Sequence, residues 1–450
     1  MRNVKRSFLA FLFVLAATWI LAEDRLLTVT DFFAYRAVFI QLSGILAIGC
    51  MSAALLLALR PRWPERWFGG LDKMYRLHKW LGIAALILGT VHWLLAKGPQ
   101  WAGQLGLLQR GPRPPREPIT DPVLALLGSL HGTAESVGEW TFYAAALLLI
   151  LALLPRFPYR LFYKTHRLLA VAFLALAFHA LVLVNIPYWR QPIGWLVAAL
   201  LVGGCIASVI LLLRRAGAGR QVWAHIVDLK PFPGVRTLLV QLELANGWPG
   251  HKAGQFAFAM SDPAEGPHPY TIASCWKPGD PRLTIIAKEL GDHTSRLREK
   301  LTVGQAVRIE GPYGCFTFDD GRARQIWVAG GIGITPFIAR MEEMAVAVER
   351  GDWPAGQIID LIHTTTEVDE EALGRLAADA KAASIRLHLL VSGTDGRLSG
   401  ERLRALIPDW SEASVWFCGP TGFGAALKQD LAAQGFPVEQ RFHQELFAMR

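Results

Sequence analysis

The chain has 450 residues, of which 52% are hydrophobic and 18% charged, and its formal net charge is +9. That length allows two or three domains, and the apolar content is concentrated in the first half. No nucleic-acid motif or aromatic-basic platform accompanies the charge, no Cys-x-x-Cys-His occurs, and the five cysteines form no paired framework; nucleic-acid binding, c-type haem attachment, iron–sulfur clusters and zinc centres are therefore set aside.

Residues 1–24 begin with Arg2, Lys5 and Arg6, continue through an apolar stretch and reach small residues near Ala22, a pattern shared by signal peptides and first membrane spans. Apolar runs at about 7–22, 37–59, 75–96, 140–154, 161–185 and 193–213 each come near the roughly 20 residues that cross a bilayer, the fourth being short. Basic residues gather before the first run, between Arg60 and Lys79, between Arg156 and Arg167, and at Arg214-Arg215. The positive-inside rule puts these faces, and everything after Arg215, in the cytoplasm. Topology thereby accounts for the net charge. The Pro- and Gly-rich stretch from Lys97 to Glu139 reads as a long outer loop, with His131 as a solvated loop histidine.

Four histidines interrupt the apolar runs, His78 and His92 in the third and His166 and His179 in the fifth. An imidazole in hydrocarbon is costly unless it meets a partner. Fourteen positions place His92 about 20 Å along the helix from His78 and close to the same face. The topology sets His78 and His166 in the inner leaflet, and His92 and His179 in the outer. This pairing predicts two b-type haems stacked across the bilayer, each held by one histidine from each run; ligands spread over both leaflets do not converge on a single zinc. The thirteen positions from His166 to His179 leave the second more than half a turn away on an ideal helix, so the fifth run requires a tilt, a π-bulge or an off-face approach.

From Gln221 the pattern alternates, as in VWAHIVDL, RTLLVQLEL and QFAFAM, which predicts antiparallel strands of a small barrel to about Phe318. From Arg324 come QIWVAGG, a helix from about Pro336, QIIDLIHTT and a second helix, which indicate βαβ units on a parallel sheet. The strand QIWVA runs into Gly330-Gly331-Ile332-Gly333-Ile334-Thr335-Pro336 and then a helix. Glycines there admit a phosphate close to the backbone, and the helix N-terminus supplies oriented N–H donors.

His268-Pro269-Tyr270-Thr271, Gly291-Asp292-His293-Thr294, Gly311-Pro312-Tyr313-Gly314, the Gly330 to Pro336 loop, Cys418-Gly419-Pro420 and the tail Phe442 to Phe447 follow one another in a single order. Together they resemble the ferredoxin-reductase-type flavin and nicotinamide module. With the two histidine pairs upstream, nearly the whole chain resembles a compact prokaryotic member of the NADPH oxidase and ferric reductase superfamily. The resemblance implies a transmembrane di-haem ferric-reductase-like domain over 1–215, an FAD-binding β-barrel domain over 216–320 and an NAD(P)H-binding α/β domain over 321–450. It implies that His268, Pro269, Tyr270 and Thr271 lie by the flavin, with Thr271 near its reactive nitrogen, and that Gly291 and Thr294 hold the FAD pyrophosphate. Gly330, Gly331, Gly333, Thr335 and Pro336 would cradle the nucleotide's phosphates. Cys418, followed by Gly419 and Pro420, would sit by the nicotinamide ring. Phe447 would stack on the flavin and swing aside for hydride transfer, although Ala448, Met449 and Arg450 follow it where the family ends on an aromatic residue.

After the second strand of the nucleotide domain stands His363-Thr364-Thr365-Thr366-Glu367. The threonines offer hydroxyls to a 2′-phosphate and Glu367 offers a partner to ribose hydroxyls, which leaves NADH against NADPH open. The resemblance further implies a multi-pass protein of the cell (inner) membrane, its soluble module in the cytoplasm, passing electrons from NAD(P)H through FAD and two haems to an outer acceptor. Bis-histidine ligation leaves no open iron position, so the acceptor is reduced at the haem edge. Molecular oxygen giving superoxide fits that mode; a ferric chelate, or a periplasmic partner protein or quinone, are the alternatives. Arg36, at the outer end of the second run, reads as an interfacial anchor, with charge offered to a forming superoxide as its other reading.

Overall fold

The computed structural model describes residues 1–108, 121–291, 293–352 and 356–445, so Asp292 and Phe447 lie outside the described residues. The chain divides into two compact units, one of residues 1–68 and 73–216, the other of Gly69–Asp72 with the residues from Gly217 onward.

In the first unit, six helical stretches among the described residues are long and apolar enough to cross a membrane. They are α1 (Arg2–Ala22), α2 (Phe32–Ala58), α3 (Leu71–Gln104), α4 (Pro122–Leu153), α5 (Tyr159–His166) running into α6 (Leu168–Leu183), and α7 (Pro192–Leu212). Asp31 caps α2 by accepting from the amides of Phe33 and Ala34, and Asp121 caps α4 from Val123 and Leu124, with Pro122 just inside the helix. α1 is packed into the bundle: Leu15 and Trp19 are buried with Phe173, Ile193 and Val197. The Trp19 indole donates to Tyr188 at 3.1 Å, and the Tyr188 hydroxyl donates to Glu23.

Of the expected outer loop from Lys97 to Glu139, residues 109–120 lie outside the described residues, and most of the remainder is helix. α3 continues to Gln104 and α4 starts at Pro122, well before residue 140. Polar residues lower the hydropathy of this part of α4 without breaking it, because the Ser129 and Ser136 hydroxyls donate to carbonyls one turn back, Leu126 and Gly132. His131 therefore lies on a helix, exposed and 3.5 Å from Glu135. α3 also runs through Pro99, whose missing N–H leaves the Leu95 carbonyl without its helical donor. Arg36 replaces it, Nε donating to Leu95 O at 2.5 Å and Nη2 to Ala96 O at 3.1 Å. The fifth stretch is interrupted at Arg167, whose guanidinium donates to Leu212 O at 2.9 Å, so His166 and His179 lie on separate helices.

The second unit holds two sheets. β1 (Gln221–Phe232), β2 (Thr237–Leu244), β3 (Phe256–Met260), β4 (His268–Thr271), β5 (Arg282–Lys288) and β6 (Ala306–Tyr313) form an antiparallel sheet in the order β4-β3-β6-β1-β2-β5. Alternate residues such as Val222, Ala224, Ile226, Leu238, Val240 and Leu242 fill its core. The expected barrel is not closed: past β4 the two edges meet in a short contact at the bridge Ile272↔Ile285 and no longer ladder joins them among the described residues. β4 is four residues long and contains Pro269, which has no N–H to give a neighbouring strand.

β7 (Arg324–Gly330), β8 (Ile358–Thr365), β9 (Arg386–Val391), β10 (Ser414–Cys418) and β11 (Phe442–Gln444) make a parallel sheet in the order β11-β10-β7-β8-β9. It alternates with helices α8 (Thr335–Glu349), α9 (Glu370–Ala382), α10 (Gly400–Leu406) and α11 (Thr421–Ala433). β7 is buried along its whole length, as a central parallel strand requires. The strand order reverses between β7 and β10, and such a switch point opens a crevice at the strands' C-terminal ends.

Candidate functional site

α3, α5 and α6 bring the four membrane histidines into two pairs. The rings of His78 and His166 are 5.9 Å apart between centroids, and those of His92 and His179 6.1 Å. His78 Nδ1 lies 2.9 Å from Ala54 O, His92 Nδ1 2.9 Å from Ile40 O, and His179 Nδ1 2.8 Å from Ala134 O. A carbonyl only accepts, so Nδ1 carries the proton in these three rings and Nε2 keeps its lone pair, the usual second-shell arrangement of a metal-bound histidine. His166 is stacked on Phe162 at 4.8 Å. Two histidine–metal bonds of about 2 Å, with about 1 Å from each nitrogen to its ring centre, span about 6 Å, so the spacing of each pair fits one metal ion.

Sequence reasoning missed two glycines that make room for these rings. A Cβ on Gly138 would lie 2.1 Å from His179 Nδ1, and one on Gly44 3.0 Å from His92 Cε1. The available signal was a small residue in an apolar helix, which marks close backbone approach.

In the antiparallel sheet, His268 to Thr271 form β4, with Thr271 buried and His268, Pro269 and Tyr270 partly so. His268 stacks on His293, centroids 3.9 Å apart, which joins this segment to the turn at Gly291. Thr294 Oγ1 holds that turn by accepting from the amides of Leu290 at 2.9 Å and Gly291 at 3.2 Å. Burial, and then the neighbouring His293, push the His268 pKa down to about 4, so the ring sits in this corner neutral, with one nitrogen as donor and the other as acceptor. Glu265, His268 and His293 bring ligand-type atoms within 4.8 Å of one another, a cluster not foreseen from sequence. Tyr313, of the Gly311 to Gly314 segment, is buried under the Arg220 guanidinium and donates to Glu310 at 2.6 Å.

In the parallel sheet, Cys418 pairs with Ala329 across β10 and β7, so the loops that follow the two strands are adjacent. A Cβ on Gly333 would lie 2.1 Å from Cys418 O, and one on Gly330 2.8 Å from Pro420 Cδ. Gly331 takes a φ of +55°, the left-handed region glycine adopts freely. The Gly330 to Pro336 turn and Cys418-Gly419-Pro420 thus pack into one ledge at the C-terminal edge. The Thr335 hydroxyl fastens the turn by donating to Ile332 O at 2.8 Å. The Cys418 thiol is fully buried beside Trp327, Phe337 and Trp416, and burial holds its pKa well above the ordinary thiol value. It offers packing beneath the ledge and no thiolate.

At the end of β8, the Thr364 hydroxyl donates to Ala329 O at 3.3 Å and the Thr365 hydroxyl to Glu367 O at 2.7 Å. Glu367 is paired with Lys288 and Arg236, the latter through Nε at 2.8 Å. Lys288 above all holds its carboxyl below the usual range. Phe447, expected to stack on the flavin, lies outside the described residues.

Residues 43–177 match the family of ferric reductase like transmembrane components, and residues 232–317 match an FAD-binding domain family. Among curated proteins, the chain is 27% identical over 194 residues to the glycine betaine monooxygenase reductase subunit of Chromohalobacter salexigens, covering 40% of this chain and 50% of that protein. It is 27% identical over 212 residues to respiratory burst oxidase homolog protein E of Arabidopsis thaliana, covering 41% and 21%. It is 30% identical over 174 residues to an NADPH oxidoreductase of Mycobacterium tuberculosis, covering 37% and 43%. The chain thus spans half or less of the length of these relatives. Among solved structures, the FAD/NAD binding domain of the Vibrio cholerae nitric oxide dioxygenase is similar at a TM-score of 0.43 and 17% identity, covering 50% of this chain and 97% of that one. The flavohemoglobin of Malassezia yamatoensis is similar at a TM-score of 0.48 and 18% identity, covering 92% and 96%. A match to ferric-reductase-like transmembrane components, followed in one chain by a match to an FAD-binding domain and by a parallel nucleotide-type sheet, fits the fused architecture of the NADPH oxidase and ferric reductase superfamily.

Proposed function

We propose that the chain is a transmembrane flavocytochrome that moves electrons from cytoplasmic NAD(P)H to an acceptor on the outer face, molecular oxygen being reduced to superoxide. The observation that carries the reading is the pairing of the four membrane histidines at 5.9 and 6.1 Å, three of them with Nδ1 held by a backbone carbonyl. His78 with His166, and His92 with His179, would each hold one b-type haem. FAD would lie along the His268 to Thr271 and Gly291 to Thr294 segments, and the nucleotide on the ledge of Gly330, Gly331, Gly333, Thr335, Pro336, Gly419 and Pro420. When bound, FAD accepts a hydride's two electrons and releases them singly, and haem carries one at a time.

The chain's own part is orientation. The carbonyls of Ala54, Ile40 and Ala134 hold the proton on Nδ1 and so leave Nε2 of each ring with the lone pair a metal would take. The glycine ledge would bring the N-terminal end of α8, with its favourable dipole, close to an incoming phosphate. The basic segments before α1, between α2 and α3, and after α7 support a cytoplasmic soluble module in the inner membrane.

The acceptor is tested with detergent-purified protein carrying FAD and supplied with nucleotide in air. Superoxide-dismutase-sensitive dye reduction is expected. Slow reoxidation in air that accelerates on adding a ferric chelate would replace oxygen by the chelate. Acceleration by a periplasmic extract would point to a partner protein or quinone.

A further inference from the structure

In doubly wound nucleotide sheets, the residue beyond the second strand reads the 2′ position: a carboxylate there hydrogen-bonds the ribose, and a cation meets a phosphate. Here that place is taken by Glu367, just past the end of β8, where Thr364 pairs with Gly330 of the ledge. Its carboxylate is already engaged. Arg236, before β2, and Lys288, at the end of β5, both come from the flavin sheet and take its two oxygens. The hydroxyls of Thr364 and Thr365 are committed to backbone carbonyls and have no proton left for a phosphate.

We propose that Lys288 and Arg236 are the selector for a 2′-phosphate, with Glu367 as an anionic placeholder that the phosphate displaces, so that the chain takes NADPH in preference to NADH. The proposal rests on the NAD(P)H reading above and adds which nucleotide is taken and by which residues. A 2′-phosphate brings nearly two negative charges and three acceptor oxygens to a pair of cations now shared by one carboxylate. Lys288 is 12% exposed and Glu367 20%, so water screens their exchange weakly, while Arg236 at 58% is open to an arriving ligand. The surrounding contacts keep the same polarity. Lys230 meets Glu371, Lys277 meets Glu342 at 2.8 Å, and the Gly234 amide donates to Asp369 at 3.0 Å, each donor from the flavin-sheet side and each carboxylate from the nucleotide-sheet side.

The test is anaerobic reduction of the flavin in full-length holoprotein, followed by loss of flavin absorbance, with NADPH and NADH in parallel. Wild type should show the lower KM with NADPH. Arg236→Gln and Lys288→Met should each raise the ratio of the NADPH KM to the NADH KM about tenfold or more, the loss of one charge-assisted contact, and Glu367→Gln should lower it. Lys230→Gln breaks a contact of the same kind elsewhere and should leave the ratio unchanged, which separates selection from general loosening. Equal rises with both nucleotides in Arg236→Gln would overturn the proposal by making the cation structural. A selective loss of NADH in Glu367→Gln would overturn it by making Glu367 a ribose ligand. A wild-type flavin that neither nucleotide reduces would remove the NAD(P)H reading, and the selector with it; reduction by both with ratios unmoved would remove the selector alone.

Discussion

Gly138→Ala tests the seat of the second histidine pair. A Cβ at this position would lie 2.1 Å from His179 Nδ1, 2.4 Å from Cε1 and 2.8 Å from Cγ. Ordinary contact needs about 3.5 Å, so the ring must retreat by more than about 1 Å or α4 must shift. Either movement breaks the 2.8 Å bond from His179 Nδ1 to Ala134 O, which sets the ring's tautomer. Overpacking of this kind costs about 1–3 kcal/mol, and a buried donor left unpaired a further 1–3 kcal/mol or so. A total on the order of 3 kcal/mol would lower haem affinity at this pair roughly a hundredfold. The assay is haem content per chain in the purified full-length protein, by the pyridine haemochrome method. Gly138→Ala should fall from two haems to one, while Gly44→Ala, whose Cβ would sit at 3.0 Å from His92, should keep both. Two haems with an unchanged reduced spectrum in Gly138→Ala would refute the reasoning.

Arg36→Gln should leave the Leu95 carbonyl above Pro99 unpaired and cost about 1–3 kcal/mol, read as a lower thermal midpoint in detergent at an unchanged rate of acceptor reduction. A slower rate at unchanged stability would instead revive its role beside the acceptor. Burial pushes the His363 pKa down to about 4 from the ordinary 6.5, so the unfolded chain binds the extra proton first as pH falls. Stability is therefore complete above pH 6.5 and declines between there and about pH 4, by up to about 3 kcal/mol. Thermal midpoints at pH 7.5 and 5 should show that decline, and His363→Gln should reduce it; a midpoint rising toward pH 5 would contradict the burial argument. Gly333→Ala, with a Cβ 2.1 Å from Cys418 O, should push the two loops of the ledge apart, raising the nucleotide KM while FAD stays bound. An unchanged KM would mean that the ledge is not where the nucleotide docks.

The membrane helices and the two-sheet order were legible because they depend on local pattern: apolar runs of bilayer length, strand alternation, then strands alternating with helices. Histidine spacing also carried the pairing, even to the point of demanding an irregularity, which the structure places at Arg167. What failed were features set by polar residues paired internally. Ser129 and Ser136 satisfy themselves on α4, so a segment that reads as loop is helix. The flavin sheet stays open where a closed barrel was expected, since the short β4 with Pro269 cannot form a full ladder with β5. The glycine seats at Gly44 and Gly138, and the grip of Lys288 and Arg236 on Glu367, join residues tens to more than a hundred positions apart, and no local pattern announces such partners.

The proposed function turns on two histidine pairs that would hold haem in the path from nicotinamide nucleotide to the outer face. Its most direct test is an anaerobic visible spectrum of the detergent-purified, FAD-loaded protein before and after NADPH, followed by air. Bis-histidine haem bands at two haems per chain, reducing with the nucleotide together with the flavin and reoxidising in air, are expected. A protein that folds, binds FAD and shows no haem bands would contradict the proposed function.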